Sequence, residues 1–268
     1  MLCVKEKSDE YGGLNVRGRN YNANNSVCQD NVNKSLQSFY SGSNKVKLIM
    51  WFFNIIDGLD ADRAIVEVAS SYLSRFLNQS GTTKVRETKA CARVLRLAAL
   101  TACYLALKVY GLSSIKISLD SLCSVSRNEF KKKEICEMEM LLLSNLQFNL
   151  HPPTRRDFVN VIISCHKHFN QVIDTKKYNE ILDLAGYIAD LSLLRDFSHY
   201  PSVIALASIQ ISFNRILTTA EASNALLELE RLVMFSTDLQ TKPNKFYTNL
   251  EDVRSDLILM LEEQQEFK

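Results

Sequence analysis

Glycine and proline are scarce, at 8 and 4 in 268 residues. Many short strands require many tight turns, so this scarcity excludes a sandwich or barrel of β-strands and points to long helices. An excess of either charge is also missing. Lys and Arg number 32 against 30 Asp and Glu, a formal charge of +2, which gives no electrostatic case for nucleic acid or an anionic membrane as a partner. There is no C-x-x-C pair. The seven cysteines (Cys3, Cys28, Cys91, Cys103, Cys123, Cys136 and Cys165) are odd in number, and most sit in apolar helical runs. They read as small hydrophobes in a reducing compartment. Met1 to Lys7 lacks the apolar stretch of a signal peptide. The longest apolar run lies between Arg96 and Lys108, short of the roughly 20 residues that span a bilayer. The expected location is the nucleus, the cytoplasm or both.

Signatures of chemistry are missing too. Neither G-x-G-x-x-G nor G-x-x-x-x-G-K occurs, so there is no phosphate cradle, and no G-x-S-x-G holds a nucleophile. Cys165, His166 and His168 point to different sides of a helix, unlike a ligand pair four residues apart. His199 reads as a structural loop histidine. No catalytic residue, metal or cofactor is expected, and the chain is not expected to be an enzyme.

What is present is helix after helix. Residues 1–28 are polar and Asn-rich and read as a disordered tail. A short helix is expected around Asn31 to Phe39, then Lys45 to Ile56. Ala61 to Leu77 carries Ile65, Val68, Ala69, Tyr72, Leu73 and Phe76 in steps of three and four, one face of a helix. Lys89 to Val109 is apolar almost all round, the mark of a helix buried at the centre of a bundle, and Gly111 is placed to end it. Roughly Ile117 to Ser124 forms a shorter helix. Ser126 to Glu129 has the spacing of a capping box for a helix to about Leu146.

His151-Pro152-Pro153 breaks the pattern. Thr154 can cap the next helix, with Asp157 in its first turn; that helix ends near Asn170. Tyr178 to Leu194 follows. Pro201 suits the first position of a nearly all-apolar helix to Leu217. Thr218 to Glu221 is a second capping box. Lys242-Pro243-Asn244 interrupts, and Thr248 to Glu251 is a third box opening the last helix. Each half has about five helices, with the apolar one third in order. The expected fold is all-α: two consecutive five-helix bundles, 29–151 and 152–268.

Particular segments resemble the cyclin family. Trp51, followed by Ser71-Tyr72-Leu73-Ser74-Arg75-Phe76-Leu77, resembles the opening of the cyclin box. Ala102 to Lys108 is similar to its L-L-A-S-K segment, and Phe130 to Glu139 to its Y-x-K-x-x-I-x-x-M-E. Leu146 to Leu150 followed by Pro153-Thr154 is similar to the end of that box. Leu184 to Leu194 and Tyr200 to Ala205 resemble a second box. The similarity spans roughly residues 31–262 in consistent order.

The resemblance implies a regulatory subunit, of the cell-cycle type, that binds and activates a cyclin-dependent Ser/Thr protein kinase as a heterodimer. By residue composition alone, Lys108 reads as a helix-end lysine and Glu139 as a rim carboxylate. The resemblance instead makes them the pair that holds the kinase's regulatory helix, with Leu105, Val109, Leu143, Phe148 and Leu150 as the apolar contact around it. Leu48 and Trp51 would be what remains of a docking patch for kinase substrates or inhibitors, with Asn44 and Lys47 replacing apolar members. Lys45 and Ser74 stand where the family pairs Arg with Asp, so that internal salt bridge is expected to be absent. About eight extra residues near Ser80 to Glu87 lengthen one loop. Alternatives are a cyclin-fold transcription factor and a kinase-independent helical scaffold.

Overall fold

The computed structural model of the chain describes residues 40, 42–79, 88–111, 117–165, 174–195, 197, 199–234 and 243–266. The expected tail, the short helix before Phe39 and the lengthened loop all lie outside these residues.

The described residues form ten α-helices and no strand: α1 (Gly42–Gly58), α2 (Ala64–Gln79), α3 (Thr88–Tyr110), α4 (Leu119–Val125), α5 (Lys132–Asn145), α6 (Arg155–Cys165), α7 (Thr175–Leu191), α8 (Pro201–Ile216), α9 (Thr219–Met234) and α10 (Pro243–Glu266). A short 3₁₀ turn, Ser192–Leu194, follows α7, so the helix expected to run to Leu194 changes pitch over its last residues. Among the described residues no helix is long and apolar enough to cross a membrane.

Two hydrophobic cores form. The first draws on α1 to α5, with Phe52, Tyr72, Phe76, Ala98 and Ala102 among its buried members. The second draws on α6 to α10, including Ile181, Ala205, Phe213, Val253 and Leu257. The two helices that are apolar all round are central: α3 packs on α2 and α5, and α8 packs on α6, α7, α9 and α10. Their small residues (Ala98, Ala102 and Ala106; Ala205, Ala207 and Ser208) are fully or almost fully buried, which lets neighbouring helices approach closely. Buried hydroxyls in these helices are satisfied locally: Thr101 donates to Leu97 O, and Ser208 to Ile204 O.

Among the described residues, the links between the cores include the following. Leu193 of the 3₁₀ turn is buried in the first core. The backbone N–H of Arg155, at the start of α6, donates to Glu67 of α2 at 2.7 Å.

The caps explain most boundaries. Gly111 N donates to Leu107 O at the end of α3, and a Cβ at Gly111 would collide with that oxygen; here glycine is required. Thr154 and Asp157 cap α6 reciprocally, at 3.1 and 3.0 Å. Thr218 and Glu221 do the same for α9, and Pro201 opens α8.

Two expected caps are corrected. Ser126 to Glu129 does not start a helix, because Arg127 and Asn128 are left-handed, at φ 53° and 60°, and Ser126 Oγ instead donates back to Cys123 O. The helix begins at Lys132, where Glu134 accepts from the Lys131 backbone at 2.9 Å. Thr248 to Glu251 lies inside α10, which already starts at Pro243. That proline opens the helix rather than interrupting it, since the first helical N–H needs no partner within the helix.

Candidate protein-docking surface

Lys108 ends α3, and Glu139 sits midway along α5. The Lys108 Nζ donates to Glu139 Oε1 at 2.6 Å. The pair lies at the surface: the lysine side chain is 47% exposed and the carboxylate 15%. Lys108 also stands over the Tyr104 ring, 5.0 Å from its centroid. The hydrogen bond it donates to Glu139, outweighing partial burial, raises the Lys108 ammonium above its ordinary value. Two residues beyond Lys108, the Tyr110 hydroxyl meets His151 Nδ1 at 3.2 Å. The end of α3 is therefore tied both to α5 and to the segment after it.

That segment begins with a strained turn. Gln147 and Phe148 are left-handed, at φ 51° and 56°, a region L-residues with bulky side chains avoid. Phe148 is 66% exposed. Its backbone N–H donates to Leu143 O, and Leu143 is one turn beyond Glu139 on α5. Two side chains of α2 hold the turn: Arg75 donates to the carbonyls of Asn149 and Leu146, at 2.8 and 3.1 Å, and Tyr72 donates to Leu150 O at 2.5 Å.

Lys108 and Val109 thus lie at the end of α3, Glu139 and Leu143 on α5, and Phe148 and Leu150 in the turn after α5, with Lys108 joined to Glu139 and Phe148 joined to Leu143. Val109, Leu143 and Leu150 are partly buried against the first core. Leu105 is different: at 3% exposed it is a member of that core, because one turn before Lys108 the helix still faces α2 and α5. It supports the surface from beneath and is not available for contact. Arg75, Tyr72 and Tyr104 were not singled out as site residues from sequence. Tyr104 was detectable, since it precedes Lys108 by four residues and so shares its face; the clamps from α2 join residues more than 70 positions apart.

Leu48 and Trp51 lie elsewhere on the first bundle. With Leu95, Ala99 and Phe130 they line an open groove of about 520 Å³ between α1, α3 and the segment before α5. Asn44, Lys47 and Arg127 are at this groove too. Ser74 Oγ donates to the Tyr40 hydroxyl at 3.4 Å, as befits a hydroxyl where the family has a carboxylate.

Among the described residues no group of His, Cys, Asp or Glu is arranged to hold a metal ion. Cys103 is buried, which pushes its thiol up to about 12 and leaves it inert. His199 Nδ1 is buried without a hydrogen-bond partner.

Comparison with solved structures places this architecture. A viral cyclin from herpesvirus saimiri matches with a TM-score of 0.57 and 14% identity, over 85% of this chain and 97% of that one. A chain of the CAK complex from Chaetomium thermophilum, bound to ATP-γ-S, matches with a TM-score of 0.56 and 17% identity, over 91% and 74%. The fold is the all-helical cyclin fold.

Residues 19–151 match the family model described as "Cyclin, N-terminal domain". Human G1/S-specific cyclin-D1 is 24% identical over 187 residues, 69% of this chain and 58% of that protein. Cyclin-B2-2 of Arabidopsis thaliana is 25% identical over 212 residues, 70% and 45%. The chain belongs to the cyclin family. It spans 50–58% of the length of the mouse and human cyclin-D1 proteins it matches.

Proposed function

We propose that this protein binds a cyclin-dependent Ser/Thr protein kinase and switches it on, in control of cell division, in the nucleus, the cytoplasm or both. The observation that carries this reading is the Lys108–Glu139 pair, 2.6 Å apart at the surface of the first bundle. At the end of α5, a clamped, left-handed turn holds the Phe148 side chain out in solvent. A monomer gains nothing by exposing Phe148 in a strained backbone; an interface does. On this reading residues 29–151 and 152–268 act as two consecutive cyclin boxes, and the first docks the kinase.

An active protein kinase needs an ion pair between a strand lysine and a glutamate on its mobile regulatory helix. Phe148, Leu143 and Val109 supply apolar contact to that helix. Lys108 and Glu139 fix its register through polar groups. A subunit that binds the helix-in arrangement better than the helix-out one shifts the population. Moving it from 1:99 to 99:1 takes about 5.5 kcal/mol of differential affinity, which an interface of ordinary size can provide. The phosphoryl transfer belongs to the kinase. Relatives described as G1/S-specific cyclins support the cell-cycle role.

The test is to mix the chain with the cyclin-dependent kinases of its source and measure binding and histone phosphorylation. Lys108→Glu and Glu139→Lys should each weaken binding at least about thirty-fold while the helical content stays constant. Full binding and activation by both variants would refute the assignment of this face.

A further inference from the structure

The outer side of α5 carries a band of apolar side chains. Its inner side is core: Ile135, Met138 and Leu142 are buried. Successive residues of a helix turn by about 100°. Passing round the middle turns from the core side, Glu139 comes first, followed by Leu143, Cys136 and Met140 in steps of about 40°. Lys133, Ser144 and Glu137 come next, all exposed.

Met140 is 60% exposed, and Cys136 is exposed with a free thiol. Leu143 is partly buried against the first core. Single apolar side chains at a surface are ordinary, and methionine is a good helix former. Here three stand side by side, and the band stops where the charged residues Lys133 and Glu137 begin. A face selected for water alone has no need of that division.

The band is continuous with the candidate docking surface. Glu139 is its inner edge and holds Lys108 at 2.6 Å. Cys136 lies within electrostatic reach of the Lys108 ammonium. The Leu143 carbonyl accepts from the Phe148 N–H. Met140 is the outer edge, about 100° round the helix from Glu139. At a side-chain radius of about 5 Å this is an arc of about 9 Å, the usual spacing of neighbouring packed helices. One straight element laid over Glu139 therefore does not also cover Met140, which needs a second.

Resting on the docking reading above, we propose that Met140, with Cys136 beside it, is a specificity-determining contact: it selects cyclin-dependent kinases that present an apolar side chain on a second element next to the regulatory helix. Methionine is flexible and polarisable, so it moulds to apolar counterparts of different shape. A kinase with a polar or charged side chain at that place must desolvate it against Met140 and Cys136, and is disfavoured. The Lys108–Glu139 pair cannot draw this distinction, since it reads donors and acceptors.

The test is calorimetric titration of the full chain with several cyclin-dependent kinases of its source, comparing the parent with Met140→Gln, Met140→Leu, Glu137→Gln and Lys108→Glu. Met140→Gln should weaken the best-bound kinase about ten-fold or more and the weakly bound ones less than about three-fold, so that the spread of affinities narrows. Met140→Leu, apolar and of similar volume, should stay within about three-fold of the parent. Glu137→Gln, on the solvated side, should bind as the parent does. Tm should be unchanged in both Met140 variants, because the side chain is exposed. Parent-like binding of every kinase by Met140→Gln, while Lys108→Glu binds weakly, would overturn the proposal and leave the docking face standing. An equal loss across all kinases would overturn it by making Met140 a contact without selectivity, and a clear fall in Tm by making it a residue of the fold. Full binding by both Lys108→Glu and Met140→Gln would remove the docking face and the proposal together.

Discussion

The guanidinium of Arg75 reaches the carbonyl of Asn149, 74 positions further along the chain, at 2.8 Å. Together with its second bond, to Leu146 O, this contact fixes the part of the candidate docking surface that is neither helix nor core. Each left-handed non-glycine residue costs about 1–2 kcal/mol, and the turn has two in succession, Gln147 and Phe148. Without an anchor it would relax. Arg75→Ala is expected to cost about 1–3 kcal/mol in urea denaturation and to weaken kinase binding in calorimetric titration. Arg75→Lys should recover only part of both, since an ammonium cannot bridge two carbonyls in fork geometry.

Phe148 separates binding from folding. It is exposed and its backbone is strained, so Phe148→Gly should leave Tm unchanged or raise it, because glycine tolerates the left-handed region. Kinase affinity should fall by about thirty-fold or more, the loss typical of a central aromatic anchor. A clear drop in Tm would instead make Phe148 a residue of the fold.

Leu105 should behave in the opposite way. Leu105→Ala removes buried volume from the first core, at an expected cost of about 2–5 kcal/mol in chemical denaturation. At temperatures where the variant is still folded, its kinase affinity should change far less than that of Phe148→Gly.

Glu221 offers a pH test. It accepts from the Thr218 backbone and hydroxyl and from Lys177 Nζ; the backbone bond, then the lysine, lowers its carboxyl from the ordinary 4.5 to about 2. A depressed folded-state value stabilises above the unfolded value, and that contribution is lost as pH falls from about 4.5 towards about 2. Glu221→Gln should therefore lower Tm at pH 7, and the difference from the parent should shrink steadily below pH 4.5, as followed by circular dichroism.

Much of the architecture was legible because burial leaves a plain record in composition. A helix apolar on every side can only be central, and α3 and α8 are. Reciprocal Thr caps were legible at Thr154 and Thr218, where a Pro-Pro break or the end of an apolar helix precedes them. The same four-residue pattern misled at Ser126 and Thr248. There the backbone was decided by a left-handed pair in one case and by Pro243 five residues earlier in the other, neither of which the pattern encodes. Within the candidate site, Lys108 and Glu139 were reached through resemblance; residue type alone would have left both as ordinary surface groups. Leu105 was assigned to the contact by the same resemblance, and the all-apolar helix carries no pattern that would have set it apart as core. The clamps from Tyr72 and Arg75 escaped because they join distant segments through main-chain carbonyls, which carry no residue identity.

Lys108 and Glu139 already satisfy each other in the unbound chain. A visitor that meets only the ammonium, or only the carboxylate, must therefore disrupt a bond for no net gain. One that presents an acceptor and a donor at matching positions can replace the bond in full. On the proposed docking role the pair would act as a sieve: discrimination between partners would be set before any partner arrives, by a contact that contributes little to holding the subunit itself together.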